Sequence, residues 1–300
     1  MYTVGTGETP GKAFSAARMR KDILEHLAET GRFAERLRRH GAAVDLSVGC
    51  GFWLFVPGIV PGADVLERVR NLLDGRVDPV AMQRRQDRFT AKAAAVGRSV
   101  FHGRLSYAAA QDDEVDWRLF DIVGIDHYSY LPHKADCVRE LSRHLRWGKP
   151  LAVTEFGTCA YVGAPETAGM GWDIVDHDKA PPEIKGDPVR SERTQATYLM
   201  QLLDAFSSMD LYAAMAFQFV TPDAPNRPGG PRHDLDMASY ALTKTIKDRP
   251  TTPPPAGTGN RRRPSTPCPT ATATGPPEAA TATPPTDPAT AFPATTTGPR

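Results

Sequence analysis

Three short apolar runs, each ending in polar side chains, constrain this chain more than anything else in it. Leu151–Val153 leads to Glu155 and then to Gly157, where the chain can turn. Phe120–Ile125 leads to Asp126, His127 and Tyr128, and Leu211–Phe217 leads to Gln218. Runs this continuous read as strands buried on both faces, the habit of parallel sheets. Helix-like stretches, Lys134–Arg146 and Ser191–Ser207, lie between them. Strands alternating with helices of that length imply a parallel sheet with helical crossovers. The polar residues then gather at the carboxyl ends of the strands, the face on which α/β barrels hold their chemistry.

The upstream half extends the same pattern. Ala17–Arg39 is expected to be an amphipathic helix with Leu24, Leu27, Ala28, Phe33, Ala34 and Leu37 near one face and Gly41 as its stop. Arg36, Arg38 and Arg39, with Glu29 and Glu35, read as its solvated face. Val44–Cys50 reads as a strand, Gly62–Leu73 and Pro79–Val96 as helices, and Arg98–Ala108 as a further strand. The expected fold class is therefore α/β, of the (β/α)8 TIM-barrel type, and incomplete: about five strands stand where closure takes eight. Two apolar edges, beside Val44–Val48 and Tyr212–Phe217, are left to be covered, which points to self-association.

Three segments are expected: an irregular stretch at 1–17, the partial barrel at 18–248, and a low-complexity tail at 249–300. From Pro250 onward the sequence is Pro, Thr, Ala and Gly, with Phe292 the exception. Such a composition buries too little to offset its chain entropy, so the tail is expected to be disordered. A mucin-like stalk and a Pro-rich ligand are the functional alternatives.

Lys plus Arg number 36 and Asp plus Glu 35 in 300 residues, a net charge of +1. That balance gives no footprint for nucleic acid or an anionic membrane. Cys50, Cys137, Cys159 and Cys268 show no metal or redox spacing. No apolar stretch approaches a membrane span, and the amino terminus lacks a secretory pattern, so the expected location is cytoplasmic.

The segments "FDIVGIDHY" and "GKPLAVTEFG" resemble the sixth and seventh strands of the retaining glycoside-hydrolase barrels of the β-mannanase and cellulase-like clan. More closely, "VGCGFWLFVPGIVPG", "VDWRLFDIVGIDHY", "VTEFGTCAYVGAPETAGMGWDIVD" and "PRHDLDMASYALTK" resemble a group of actinobacterial barrel proteins labelled abortive infection proteins. The resemblance runs from Arg18 to Lys247, and no residue in it accounts for that label. It implies that Glu155 stands at the nucleophile position and that Tyr128 orients it. It also implies that about three strand–helix units precede Arg18 in relatives, so that this chain looks truncated at its amino end.

Retaining hydrolysis uses two carboxylates about 5 Å apart, one a nucleophile and the other an acid/base. In the clan the acid/base follows the fourth strand, and the matching position here is Gly51. Losing a positioned general acid costs about 10²–10⁴ in rate, so activity is expected to be weak or lost. Asp126 is the better-placed substitute; the run Asp112, Asp113, Glu114 and Asp116 reads as a solvated loop. His127 is a possible proton carrier or a satisfied structural residue.

The loop Gly157–Arg190 is long enough for a lid or binding loop. Trp172 within it, and Trp53 after Gly51, offer flat surfaces to a sugar, or pack beneath the loops. Gln218, Arg232 and His233 also fall on the expected site face. The cluster Asp176, His177 and Asp178 lacks the spacing of a known metal site, and neither metal nor cofactor is expected. A non-catalytic carbohydrate- or protein-binding scaffold and a non-functional fragment remain as alternatives.

Overall fold

The computed structural model describes residues 15–110, 113–128 and 133–246; the tail beyond them and the first fourteen residues lie outside the described part. Helix α1 (Ala16–Arg39) starts at Ser15, whose side chain accepts from Arg18 N. Strand β1 (Leu46–Cys50) is followed by a single turn, α2 (Phe52–Phe55), and by α3 (Val65–Leu73), capped by Asp64. Helix α4 (Pro79–Val100) has Asp78 as its cap and Pro79 in its first turn, where a missing N–H costs nothing. Then come β2 (Leu105–Ala110), β3 (Ile122–Asp126), α5 (Lys134–Ser142) and β4 (Leu151–Phe156). Two short strands, β5 (Val175–Asp176) and β6 (Glu183–Ile184), precede α6 (Glu192–Ser207), which Ser191 caps. Strands β7 (Ala213–Ala216), β8 (Val220–Pro225) and β9 (Thr243–Thr245) complete the described chain.

Five strands form one sheet in the order β1-β2-β3-β4-β7, every pair parallel. This is the expected α/β wall of barrel type, five strands wide. One face, carrying Leu46, Val48, Tyr107, Ala109, Val123, Ile125, Leu151 and Val153, packs against Leu27 of α1, Phe89 and Ala93 of α4, Leu141 of α5 and Leu202 of α6 in a single core. Each of the Leu, Val, Ile and Phe side chains among them contributes roughly 1.5–3 kcal/mol on burial. The other face carries small residues: Ser106, Ala108, Gly124 and Ala152 are all buried there. The sheet is curved enough to bring its two edge strands together at one end. At its foot, the Tyr212 hydroxyl before β7 donates to Asp45 before β1 and accepts from Arg104, before β2, at 2.6 Å. Arg104 closes the triangle on Asp45 through bonds of 3.0 and 3.1 Å.

Three sequence expectations change. Arg98 and Ser99 belong to α4, not to a strand, and β2 begins at Leu105. The helix runs on because Ala93, Ala94 and Gly97 continue its buried stripe; a Cβ at Gly97 would stand 3.2 Å from both Leu105 and Val48. The stripe of α1 is narrower than its hydrophobic pattern suggests: Phe33 and Leu37 are exposed, with Arg36 over the Phe33 ring. Glu35, expected on the solvated face, is covered instead. It accepts from Arg38, Arg39 and the His102 N–H, and these bonds, Arg38 foremost, hold its carboxyl well below the usual range.

The loop after β4 is a packed unit. Cys159, Tyr161, Ala164, Val175 and Ile184 bury together with Met237, Ala238 and Tyr240. Arg190 fixes it to the following segment, with 2.6 Å bonds to the buried Asp234 and Asp236. Among the described residues no helix is long and apolar enough to cross a membrane.

Candidate active site

At the carboxyl ends of β1, β3 and β4, three side chains converge: Cys50, Asp126 and Glu155. Two irregularities in the sheet bring them together. Register between β3 and β4 slips after Ile125, so that Asp126 pairs with Glu155 instead of Thr154. Side chains alternate along a strand, and without that slip Glu155 would face the helices. The pairing of β1 with β2 shifts likewise between Ser47 and Cys50. Bulges of this kind re-aim side chains beside functional sites.

The Tyr128 hydroxyl donates to Glu155 Oε2 at 2.9 Å, and Cys50 Sγ lies 3.6 Å from Glu155 Oε1. Cys50 also donates to Asp126 Oδ2 at 3.2 Å, while Thr154 Oγ1 donates to Asp126 Oδ1 at 2.8 Å. Both carboxyl groups are almost wholly buried. Burial, and then the charge of Glu155, push Asp126 up to about 7. Burial also raises Glu155, against the opposing bonds from Tyr128 and Cys50. The Cys50 thiol is pushed far up by burial and by the two acids, so it stays a neutral donor. Two buried acids side by side cannot both ionise cheaply, which favours the pair with one proton on it.

Among the described residues, Cys50, Asp126 and Glu155 are also the one group of such side chains whose donor atoms, all within 4.8 Å of one another, could share a cation. A cation there would have to displace the thiol proton, which this environment holds tightly.

Tyr128 is held from behind. Its ring stands edge-on to Tyr240 at 5.6 Å, and the Tyr240 hydroxyl accepts from Gly171 N at 3.1 Å, tying the long loop to the site. Trp172, half-buried, packs in that same cluster. Trp53 lies in α2 against the main core, its indole nitrogen buried without a hydrogen-bond partner. Gly51, before it, takes the left-handed conformation with φ +49°, and a Cβ there would meet the Phe55 ring at 3.1 Å.

Four of the expected binding residues are engaged elsewhere. His127 is fully buried and directed to the helices: its ring stands edge-on to Phe206 of α6 at 6.2 Å. Both ring nitrogens lack partners, and burial lowers it to about 4, so it is neutral at physiological pH. The alternation that turns Asp126 inward turns its neighbour outward. Gln218 donates to Thr221 Oγ1 at 2.9 Å. Arg232 pairs with Glu183 at 3.8 Å, and His233 Nδ1 sits 3.3 Å from the Pro182 carbonyl, so both address the long loop. In the acidic run, Asp113 accepts from Ala110 N and Asp116 caps the turn at Trp117–Leu119, which are structural tasks. Asp176 likewise accepts from Asp178 N within its own turn.

Sequence reasoning passed over Cys50 and Thr154. Cys50 was judged only by its spacing from other cysteines, whereas its partners are acids 76 and 105 residues away. Its place at the end of an apolar run, the mark that singled out Glu155, was the available signal.

A parallel α/β wall of barrel type with a buried carboxyl pair at its strand ends is the class these observations define. No protein-family model matches the sequence, and no curated protein matches it. Among solved structures, the chain is similar to a GH113 β-1,4-mannanase at 15% identity and a TM-score of 0.46, covering 78% of this chain and 61% of that one. A GH113 β-mannanase from Alicyclobacillus acidocaldarius gives 14% identity over the same shares, also at 0.46. A fungal β-1,4-galactanase gives 13% identity and 0.40, over 79% of this chain and 69% of that one. The chain thus spans about three fifths of the mannanases' length.

Proposed function

We propose that this chain is a glycoside-hydrolase-like barrel protein that acts on or binds a carbohydrate, with Glu155 as nucleophile and Tyr128 as its orienting partner. One observation carries the reading: the Tyr128 hydroxyl bonds Glu155 Oε2 at 2.9 Å at the carboxyl ends of adjacent parallel strands. Tyr128 fixes one carboxylate oxygen while the Cys50 thiol lies against the other, and both donors restrain the proton affinity that burial raises. Gly51 leaves the clan's usual acid/base position without a side chain, so glycosides with poor leaving groups react slowly unless another acid serves. The abortive-infection label finds no residue to explain it.

Purified protein should therefore be assayed on aryl glycosides of graded leaving-group ability. Dinitrophenyl glycosides are expected to turn over, and Glu155→Ala to abolish that turnover. Turnover that survives Glu155→Ala removes Glu155 from the chemistry. A second reading, a non-catalytic carbohydrate- or protein-binding scaffold, is favoured by the near-complete burial of Glu155 and by the thiol beside it. A folded protein that retains a sugar on an affinity column but turns over none of these substrates selects that reading.

A further inference from the structure

We infer that Asp126 is the proton donor of this site, standing in from strand β3 for the side chain that Gly51 lacks. The inference rests on Glu155 acting as nucleophile. Its ground is placement. Asp126 and Glu155 leave neighbouring strands in register with each other because of the slip after Ile125. An oxygen of each lies within 4.8 Å of the other, short of the roughly 6.5–9.5 Å gap that inverting chemistry keeps between its carboxyl groups. No other carboxyl group among the described residues joins that cluster.

The surroundings suit an acid that holds its proton. Thr154 donates to Oδ1 of Asp126, and Oδ2, which accepts from the Cys50 thiol, has its second lone pair for a mobile proton. The titratable groups bearing on Asp126 are Cys50 of β1, Tyr107 of β2, Tyr128 and Glu155, with Asp113 further along the chain. All are acids or neutral hydroxyl and thiol groups. None supplies a cation that would ionise Asp126, and the charge of Glu155 opposes its ionisation.

In the first step a Glu155 oxygen forms a bond to the anomeric carbon as the glycosidic C–O bond breaks. The Asp126 proton passes to the departing oxygen, so the alcohol leaves neutral. In the second step Asp126, now a carboxylate, takes a proton from water as that water attacks the anomeric carbon. The Glu155–sugar bond breaks, Glu155 returns as a carboxylate and Asp126 as an acid. Water is the co-reactant, and the balance is that of hydrolysis.

Asp126→Asn is nearly isosteric and can still accept from Thr154. On alkyl glycosides it is expected to lower turnover by about 10²–10⁴, the usual value of a positioned acid, with a loss below about tenfold in bond cleavage for dinitrophenyl glycosides. Azide should then speed release of the sugar from Glu155, since it needs no base. An equal loss across all leaving groups overturns the proposal while leaving Glu155 as nucleophile. Wild-type activity insensitive to Glu155→Ala, or no turnover at all, removes the reading beneath it and the proposal together.

A readout independent of activity is the infrared carboxylic-acid band. It should persist to near-neutral pH, vanish in Asp126→Asn, and titrate at lower pH in Glu155→Gln, where the opposing charge is gone. A band that titrates wholly in the ordinary carboxyl range overturns the proposal whether or not the variants turn over substrate.

Discussion

At the scale of single residues, the buried acids leave a mark on stability. Burial, then Glu155, raise Asp126 from 3.8 to about 7, and burial raises Glu155 from 4.5. Between those limits the folded protein holds more protons than the unfolded chain, so stability should fall as pH rises from about 4 to 7. Urea unfolding across that range checks the slope, and Asp126→Asn is expected to flatten it. Glu35 works in the opposite sense: its depressed carboxyl stabilises above the ordinary value of 4.5 and loses that contribution as pH falls below it. Glu35→Gln should therefore lower stability above about pH 4.5 and make the loss on acidification shallower below it. Gly51 supplies another prediction. Its left-handed backbone makes any side chain strained, so Gly51→Ala is expected to cost about 1–2 kcal/mol by chemical denaturation. Gly51→Glu should cost at least as much, and would not restore an acid without moving Phe55. The apolar runs placed Tyr128 and Glu155 at strand ends, and only the resemblance to the glycoside-hydrolase barrels implied that the two would meet, as they do through the Tyr128 hydroxyl. His127 was expected beside Asp126 on the site face, although the alternation that turns one inward turns the other outward, toward Phe206. The meeting of Asp126 with Glu155 was not legible: a slip in register leaves no mark on either strand alone.

Elements were read best where local preference and burial agree. Helix α6 begins at its Ser191 cap, and β4 follows its apolar run. Boundaries moved where tertiary packing prevailed, as when α4 continued to Val100 because Gly97 fits against the sheet. The loop after β4 was legible as long but not as packed, because its partners, Met237 through Tyr240, arrive from beyond the last sheet strand. Arg190 is the fastening of that unit. Replacing it by Met leaves Asp234 and Asp236 buried without their cation, and an uncompensated buried charge costs about 3–5 kcal/mol. Arg190→Met is expected to lower the unfolding midpoint and to raise amide exchange through 159–184 before the rest of the fold. Exchange that rises equally everywhere would mean that the loop and the sheet open as one.

For the whole molecule, five strands and two free flanks were legible from a count of apolar runs, whereas the meeting of the two edge strands at the foot of the sheet, through Tyr212 and Asp45, was not. The β7 flank leaves Tyr212, Met215 and Phe219 exposed, and such a row invites a second chain. Sedimentation should show association that weakens when Met215 and Phe219 are both replaced by Lys; a monomer at every concentration would refute this. The bonds among Asp45, Arg104 and Tyr212 have a longer reach. They join the first and last ribs of a fan at the handle, while Cys50, Asp126 and Glu155 stand at the rim, about 17 Å along a five-residue strand. How widely the rim spreads is therefore set at the handle. Tyr212→Phe, which touches neither Asp126 nor Glu155, should loosen the fan and let Cys50 drift from them, and a thiol reagent would register that drift as faster labelling.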